Sequence, residues 1–157
     1  MGADSLPGMG VNFQVVVDCA DPHRLAAFWS AALGWDIEHH DDFIKQLLAS
    51  GQLPEDKAIE VDGRLVFKTA AAIRDPEASM SGRNQPLRGR MLFQTVPETK
   101  STKNRVHLDL YFETEDRDAE IERLTGLGAR RLWEGKQGPV HTWVTMADPE
   151  GNEFCVS

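Results

Sequence analysis

The chain carries one strand–helix–strand layout twice, from Asn12 to about Pro97 and again from Asn104 to Ser157. Each copy opens on an alternating segment, Asn12-Phe13-Gln14-Val15-Val16-Val17-Asp18 in the first and Arg105-Val106-His107-Leu108-Asp109-Leu110-Tyr111-Phe112 in the second. Alternation at period two sets one side of a strand against a core and the other toward a cleft or solvent. An amphipathic helix follows in each copy, closed by Gly34 or Gly128, and further strand-like segments come after it. A duplicated unit of this kind cannot bury its sheet face alone. The halves are therefore expected to pair, with a cleft between them as the natural site.

In the first copy, Phe13, Val15 and Val17 are expected to pack beneath a helix that begins at Asp21-Pro22, a capping residue followed by proline at the first helical position. Leu25, Phe28, Trp29, Ala32 and Leu33 form its apolar stripe, which leaves Gln14 and Asp18 on the cleft side. Asp42 to Ala49 reads as an inserted short helix with Phe43, Leu47 and Leu48 on its apolar side. Arg64 to Thr69 alternates as a strand, Pro76 to Gly89 reads as a loop, and Met91 to Val96 is the last strand before Pro97.

In the second copy, Val106, Leu108, Leu110 and Phe112 should face a helix, and His107, Asp109 and Tyr111 the opposite side. Thr114 is placed to cap that helix, with Ile121, Leu124 and Leu127 as its stripe. Segments 129–134 and 142–146 read as strands, and Asp148-Pro149-Glu150-Gly151-Asn152 turns the chain into a final strand at Glu153 to Ser157. The expected organisation is a flexible leader at 1–11 and a single domain at 12–157. Module one spans 12–98 with an insertion at 41–62, and module two spans 104–157.

A chain of 157 residues with 41% hydrophobic content can build one real core without staples. The net charge of −8 argues against nucleic acid as a partner, and no apolar run approaches the roughly 20 residues of a membrane helix. Acidity fits a solvated surface, or a cleft that attracts a cationic ligand. Met1 to Gly10 lacks the features of a secretory signal, and two cysteines make no disulfide framework, so a cytoplasmic location is expected.

Three stretches resemble the vicinal oxygen chelate superfamily, which includes glyoxalase I, extradiol dioxygenases and bleomycin-resistance proteins. They are Asp18-Cys19-Ala20-Asp21-Pro22 through Leu33-Gly34-Trp35, Phe93-Gln94-Thr95-Val96-Pro97-Glu98 through His107-Leu108-Asp109-Leu110, and Asp148-Pro149-Glu150-Gly151-Asn152-Glu153-Phe154-Cys155. The closest likeness is to the bacterial glyoxalase-like branch. It implies an α+β fold of two βαβββ modules forming a half-open eight-stranded barrel-like cleft, often paired in a homodimer.

The resemblance also implies four cleft-facing ligand positions, which fall here on Gln14, Gln94, His107 and Cys155. Metal enzymes of the superfamily usually carry a glutamate where this chain has Cys155. Two amides, an imidazole and a thiol give a hard ion such as Mg²⁺ or Mn²⁺ no carboxylate; Zn²⁺ or Ni²⁺ would accept the imidazole and the thiolate. The sequence reading therefore favours a small-molecule binding protein without an essential metal. Gln14, Gln94, His107, Trp143 and Cys155 are its candidate ligand contacts. The alternative is a divergent metal-dependent lyase or isomerase of glyoxalase type, with His107 as catalytic base or ligand and Gln14, Gln94 and Cys155 completing a Zn²⁺ or Ni²⁺ site. Asp109 reads as a salt-bridge partner, for Arg105 or for His107. His39 and His40 beside Asp41 and Asp42 read as a solvated turn.

Overall fold

The computed structural model describes residues 10–82, 86–113 and 115–157. Strand β1 (Val15–Cys19) leads into helix α1 (Pro22–Leu33). Asp21 holds the extended cap conformation and accepts the Arg24 N–H at 3.1 Å, Pro22 occupies the first turn, and Gly34 closes the helix at φ 69°, in the left-handed region. Strand β2 (Asp36–Ile37) follows, then helix α2 (Asp41–Ala49), a 3₁₀ turn at Glu55–Lys57, and strands β3 (Ala58–Val61), β4 (Arg64–Phe67), β5 (Ala70–Arg74) and β6 (Arg90–Thr95). The second half holds β7 (Asp109–Leu110), α3 (Arg117–Leu127), β8 (Arg130–Gln137), β9 (His141–Ala147) and β10 (Glu153–Val156). Among the described residues no helix is long and apolar enough to cross a membrane.

The duplication is explicit in the sheets. The first has the order β1-β6-β5-β2 and the second β7-β10-β9-β8. In each, the opening strand runs parallel to the last, and the other pairs are antiparallel. The two modules thus repeat one βαβββ topology, without closing a barrel. Hairpin β3–β4 forms a small sheet of its own, so Arg64–Phe67 belongs with the inserted segment. The third strand of the first module is instead the alanine-rich β5.

Alternation divides each sheet into a core face and a helix-free face. Val15, Val17, Met91, Phe93 and Ile73 join the core with α1, whereas Val16 and Asp18 turn away and are exposed. In the second module Val144, Met146, Phe154 and Val156 are buried with Ile121 and Leu124 of α3. The two cores are continuous. Trp29 of α1 stacks edge-on with Phe154 at 5.0 Å, and Phe28 meets Trp29 at 5.3 Å.

Several local expectations are revised. Phe13 is 79% exposed instead of lying under α1, because β1 starts at Val15, opposite Met91 near the start of β6. Val106 is 85% exposed for the same reason: strand pairing in the second module begins at Asp109, beside Cys155. Helix α2 buries Ile44, with Leu47 and Leu48 half-buried, and leaves Phe43 largely exposed. The cap of α3 is Asp116, which accepts the Ala119 N–H at 2.9 Å; the residue expected there, Thr114, lies outside the described residues.

Candidate functional site

Register places a row of side chains across the helix-free face of the second sheet. Asp109 of β7 lies beside Cys155 of β10, Cys155 beside Thr145 of β9, and Thr145 beside Trp133 of β8. An irregularity between Arg131 and Trp133 sets Trp133 into that row. His107 is two residues before Asp109 and shares its side, with Nδ1 3.0 Å from Asp109 Oδ1. These side chains face a cleft of about 330 Å³, which Trp143 and His141 also line.

Trp143 owes its position to a glycine. A Cβ built on Gly135, its cross-strand neighbour, would sit 2.1 Å from the indole, so the ring lies flat across bare backbone. The His141 ring is 5.4 Å from the Trp143 ring, tilted by 38°. The result is an aromatic wall beside a cluster of ionisable groups.

The ligand atoms of His107, Asp109 and Cys155 all lie within 4.8 Å of one another, the one such trio of His, Cys, Asp or Glu among the described residues. The side chains of His107 and Asp109 are 38% and 44% exposed, and Cys155 is buried. Because an ionised carboxylate only accepts, the Asp109 contact assigns the proton to Nδ1 of His107 and leaves Nε2 of the neutral ring as an acceptor. The Cys155 thiol is pushed above its ordinary value. Burial is the main cause and the Asp109 charge adds to it, against the opposing pull of the Thr145 hydroxyl and Lys103. Thr145 Oγ1 is 3.6 Å from the sulfur. A thiol so placed is a poor nucleophile. Cys19 is pushed further, to about 12, by burial and by the carboxylates of Glu150, Asp21, Asp18 and Asp148.

Glu153 holds the rim together. It accepts the Asn104 backbone N–H at 2.9 Å and the Lys100 ammonium at 3.2 Å. Burial works to raise its carboxyl, but these contacts outweigh it and hold the group below its ordinary value.

Of the residues singled out from sequence, His107, Cys155 and Trp143 therefore share one cleft. Gln14 and Gln94 do not line it. Gln14 accepts from Arg90 Nη1 at 2.5 Å, and Gln94 lies exposed on β6 between Asp18 and Ala70. The sequence reading left Asp109 out of the ligand set. The signal was present in its spacing, since two residues along a strand return to the same face. The His39–Asp42 stretch pairs elsewhere: His40 lies 3.4 Å from Glu38, and Asp41 binds Arg64 at 2.6 Å.

The family profile described as "Glyoxalase-like domain" matches residues 14–157. No curated protein matches the chain at a significant level. Among solved structures, the hypothetical protein SA1046 from S. aureus superposes with a TM-score of 0.56 at 14% identity, covering 95% of this chain and 94% of that one. A glyoxalase/bleomycin resistance protein/dioxygenase family enzyme from Burkholderia phytofirmans gives 0.52 at 13% identity, covering 91% and 94%. A variant of the fosfomycin resistance protein FosX from Listeria monocytogenes, complexed with Mn(II) and 1S,2S-dihydroxypropylphosphonic acid, gives 0.58 at 10% identity, covering 96% and 91%. At these identities the structural likeness speaks for the fold alone, and the profile match over nearly the whole length carries the assignment: the chain belongs to the glyoxalase-like domain family.

Proposed function

We propose that the protein binds a small planar molecule in the second-module cleft, with an aromatic face against Trp143 and a polar hydrogen donated to His107 Nε2. The observation that carries this reading is the convergence of the Gly135-seated Trp143 platform with the His107–Asp109 pair in one cleft of about 330 Å³. That volume falls at the small end of ligand pockets, which combine apolar walls with a few placed polar groups. Asp109 keeps the imidazole oriented, so His107 meets the ligand with a fixed acceptor.

A second reading rests on the His107–Asp109–Cys155 trio. Nitrogen, oxygen and sulfur donors within 4.8 Å suit Zn²⁺ or Ni²⁺, and Asp109 supplies the carboxylate that the sequence-derived set lacked. A metal held there would act as a Lewis acid toward a ligand oxygen, the role a lyase of glyoxalase type would need. The chain's own contribution would be to release the Cys155 proton on binding. Because that thiol is shifted upward, metal affinity would fall steeply with falling pH.

A homodimer would cover Phe13 and Val106, exposed at 79% and 85% near the openings of the two modules. A reducing cytoplasm accords with two buried, unpaired cysteines.

Tryptophan fluorescence titration with 7-hydroxycoumarin, alongside metal analysis of protein purified without chelator, tests the assignment. Saturable quenching weakened about tenfold by His107→Ala and abolished by Trp143→Ala is expected, as for the loss of one polar and one stacking anchor. Quenching indifferent to both changes would exclude this cleft. Stoichiometric Zn²⁺ or Ni²⁺, lost in Asp109→Ala, would favour the metal reading.

A further inference from the structure

The inserted segment between β2 and β5 walls one side of a second, half-open cavity of about 310 Å³, in the first module. Ile44, Leu65 and Phe67 of the insertion form one side of it; Ala70 and Ala72 of β5 and Leu92 of β6 form the other. None of its lining residues lines the second-module cleft. We propose that this cavity is a separate binding site, for a neutral and largely apolar molecule of two-ring size that carries one hydroxyl or amide N–H donor.

A half-open pocket with mostly apolar walls and this volume falls at the small end of ligand pockets. The chain places its smallest side chains, Ala70-Ala71-Ala72, where larger ones would fill the space. An apolar cavity of about 150 Å³ accommodates benzene, and the 310 Å³ here is about twice that.

Paired charges along the wall favour a neutral ligand. Glu38 and Arg90 both line the cavity and bind each other through two hydrogen bonds, at 2.9 and 2.8 Å. His40 is 3.4 Å from the same carboxylate, and Arg64 is held by Asp41 at 2.6 Å. A charged ligand group reaching Glu38, Arg90 or Arg64 would have to break one of these pairs, and the remaining lining carboxylate, Asp62, is exposed to water at the rim.

His23 supplies a polar atom at the half-buried wall. Its Nε2 is 2.7 Å from the Phe67 carbonyl oxygen. A carbonyl only accepts, so Nε2 carries the hydrogen, and Nδ1 of the neutral ring is an acceptor with no partner shown among the described residues. A ligand hydroxyl or amide N–H would complete it.

The test is methyl-resolved NMR of the full chain titrated with 2-naphthol and, separately, with 2-methoxynaphthalene, which has the same rings and no donor. Saturable one-site shifts at the methyls of Ile44, Leu65 and Leu92 are expected with 2-naphthol, about fivefold weaker binding with 2-methoxynaphthalene, and loss of both in Ala70→Phe. Unshifted Val144 and Ile121 methyls in that variant would confirm that it folds; Leu92→Phe replaces it if it does not. Absent shifts at these three methyls, or shifts there that survive filling, would overturn the site, whether or not the second-module cleft also responds. Equal affinity for the two probes would overturn the donor requirement.

Discussion

His107 and Asp109 show how much two residues of spacing decide. On a strand they share a face, and the parallel register with β10 adds Cys155 to them. At the same scale, Glu38 shows a carboxylate tuned by its neighbours. Burial works to raise it, but the Arg90 guanidinium, with help from His40, holds it below its ordinary 4.5. A carboxyl lowered on folding stabilises the native state above its unfolded value, and that contribution fades as pH falls through the lowered folded value. Urea unfolding of Glu38→Gln should therefore show a loss of about 2 kcal/mol at pH 7, since half-buried Arg90 loses its charged partner and keeps only Gln14. The gap to the native chain should narrow steadily below pH 4.5. An unchanged gap at pH 3 would contradict this account of the pair.

Elements position these residues, and here the Gly135–Trp143 crossing of β8 and β9 matters most. Replacing Gly135 with alanine puts a methyl 2.1 Å from the Trp143 ring, so the indole must leave its seat. The expected cost is about 1–3 kcal/mol of stability from overpacking, together with most of the ligand affinity, read by thermal unfolding and by probe titration.

Much of the element plan was legible in sequence because its signals are local. Asp21-Pro22 and Gly34 bracket α1, and the alternation around Val15 and Phe154 sets which face is core. Ala70–Arg74 was not legible: three alanines carry no alternation, and only pairing with β6 makes them a strand. Phe13 and Val106 were misread because alternation continues past the point where a partner strand exists. Within the site, His107, Trp143 and Cys155 could be named from sequence. Asp109 was legible in its two-residue spacing from His107 but went unread, whereas the separation of Gln14 and Gln94 depends on how two sheets lie in space.

For the whole molecule, the turn Asp148-Pro149-Glu150-Gly151-Asn152 is the clamp between modules. Buried Asp148 accepts Trp29 Nε1 at 3.1 Å, and Glu150 accepts the backbone N–H groups of Ala20 and Asp21 at 2.6 and 3.0 Å, at the entry to α1. Trp29 then packs on Phe154, so the modules share one core. The chain should unfold in a single transition, and Asp148→Ala should lower the stability of both halves together by about 3 kcal/mol. An Asp148→Ala variant that unfolds with the native midpoint would show that the clamp is dispensable.

The central claim is that the helix-free face of the second sheet is the ligand site, and four indoles report on it directly. Trp133 and Trp143 line the cleft, while Trp29 is tied to Asp148 and Trp35 packs against the core. In a ¹⁵N-indole NMR titration with 7-hydroxycoumarin, the Trp133 and Trp143 resonances should shift saturably while those of Trp29 and Trp35 stay fixed. A saturable titration that moves Trp29 or Trp35 and leaves Trp143 still would place the site elsewhere and contradict the account.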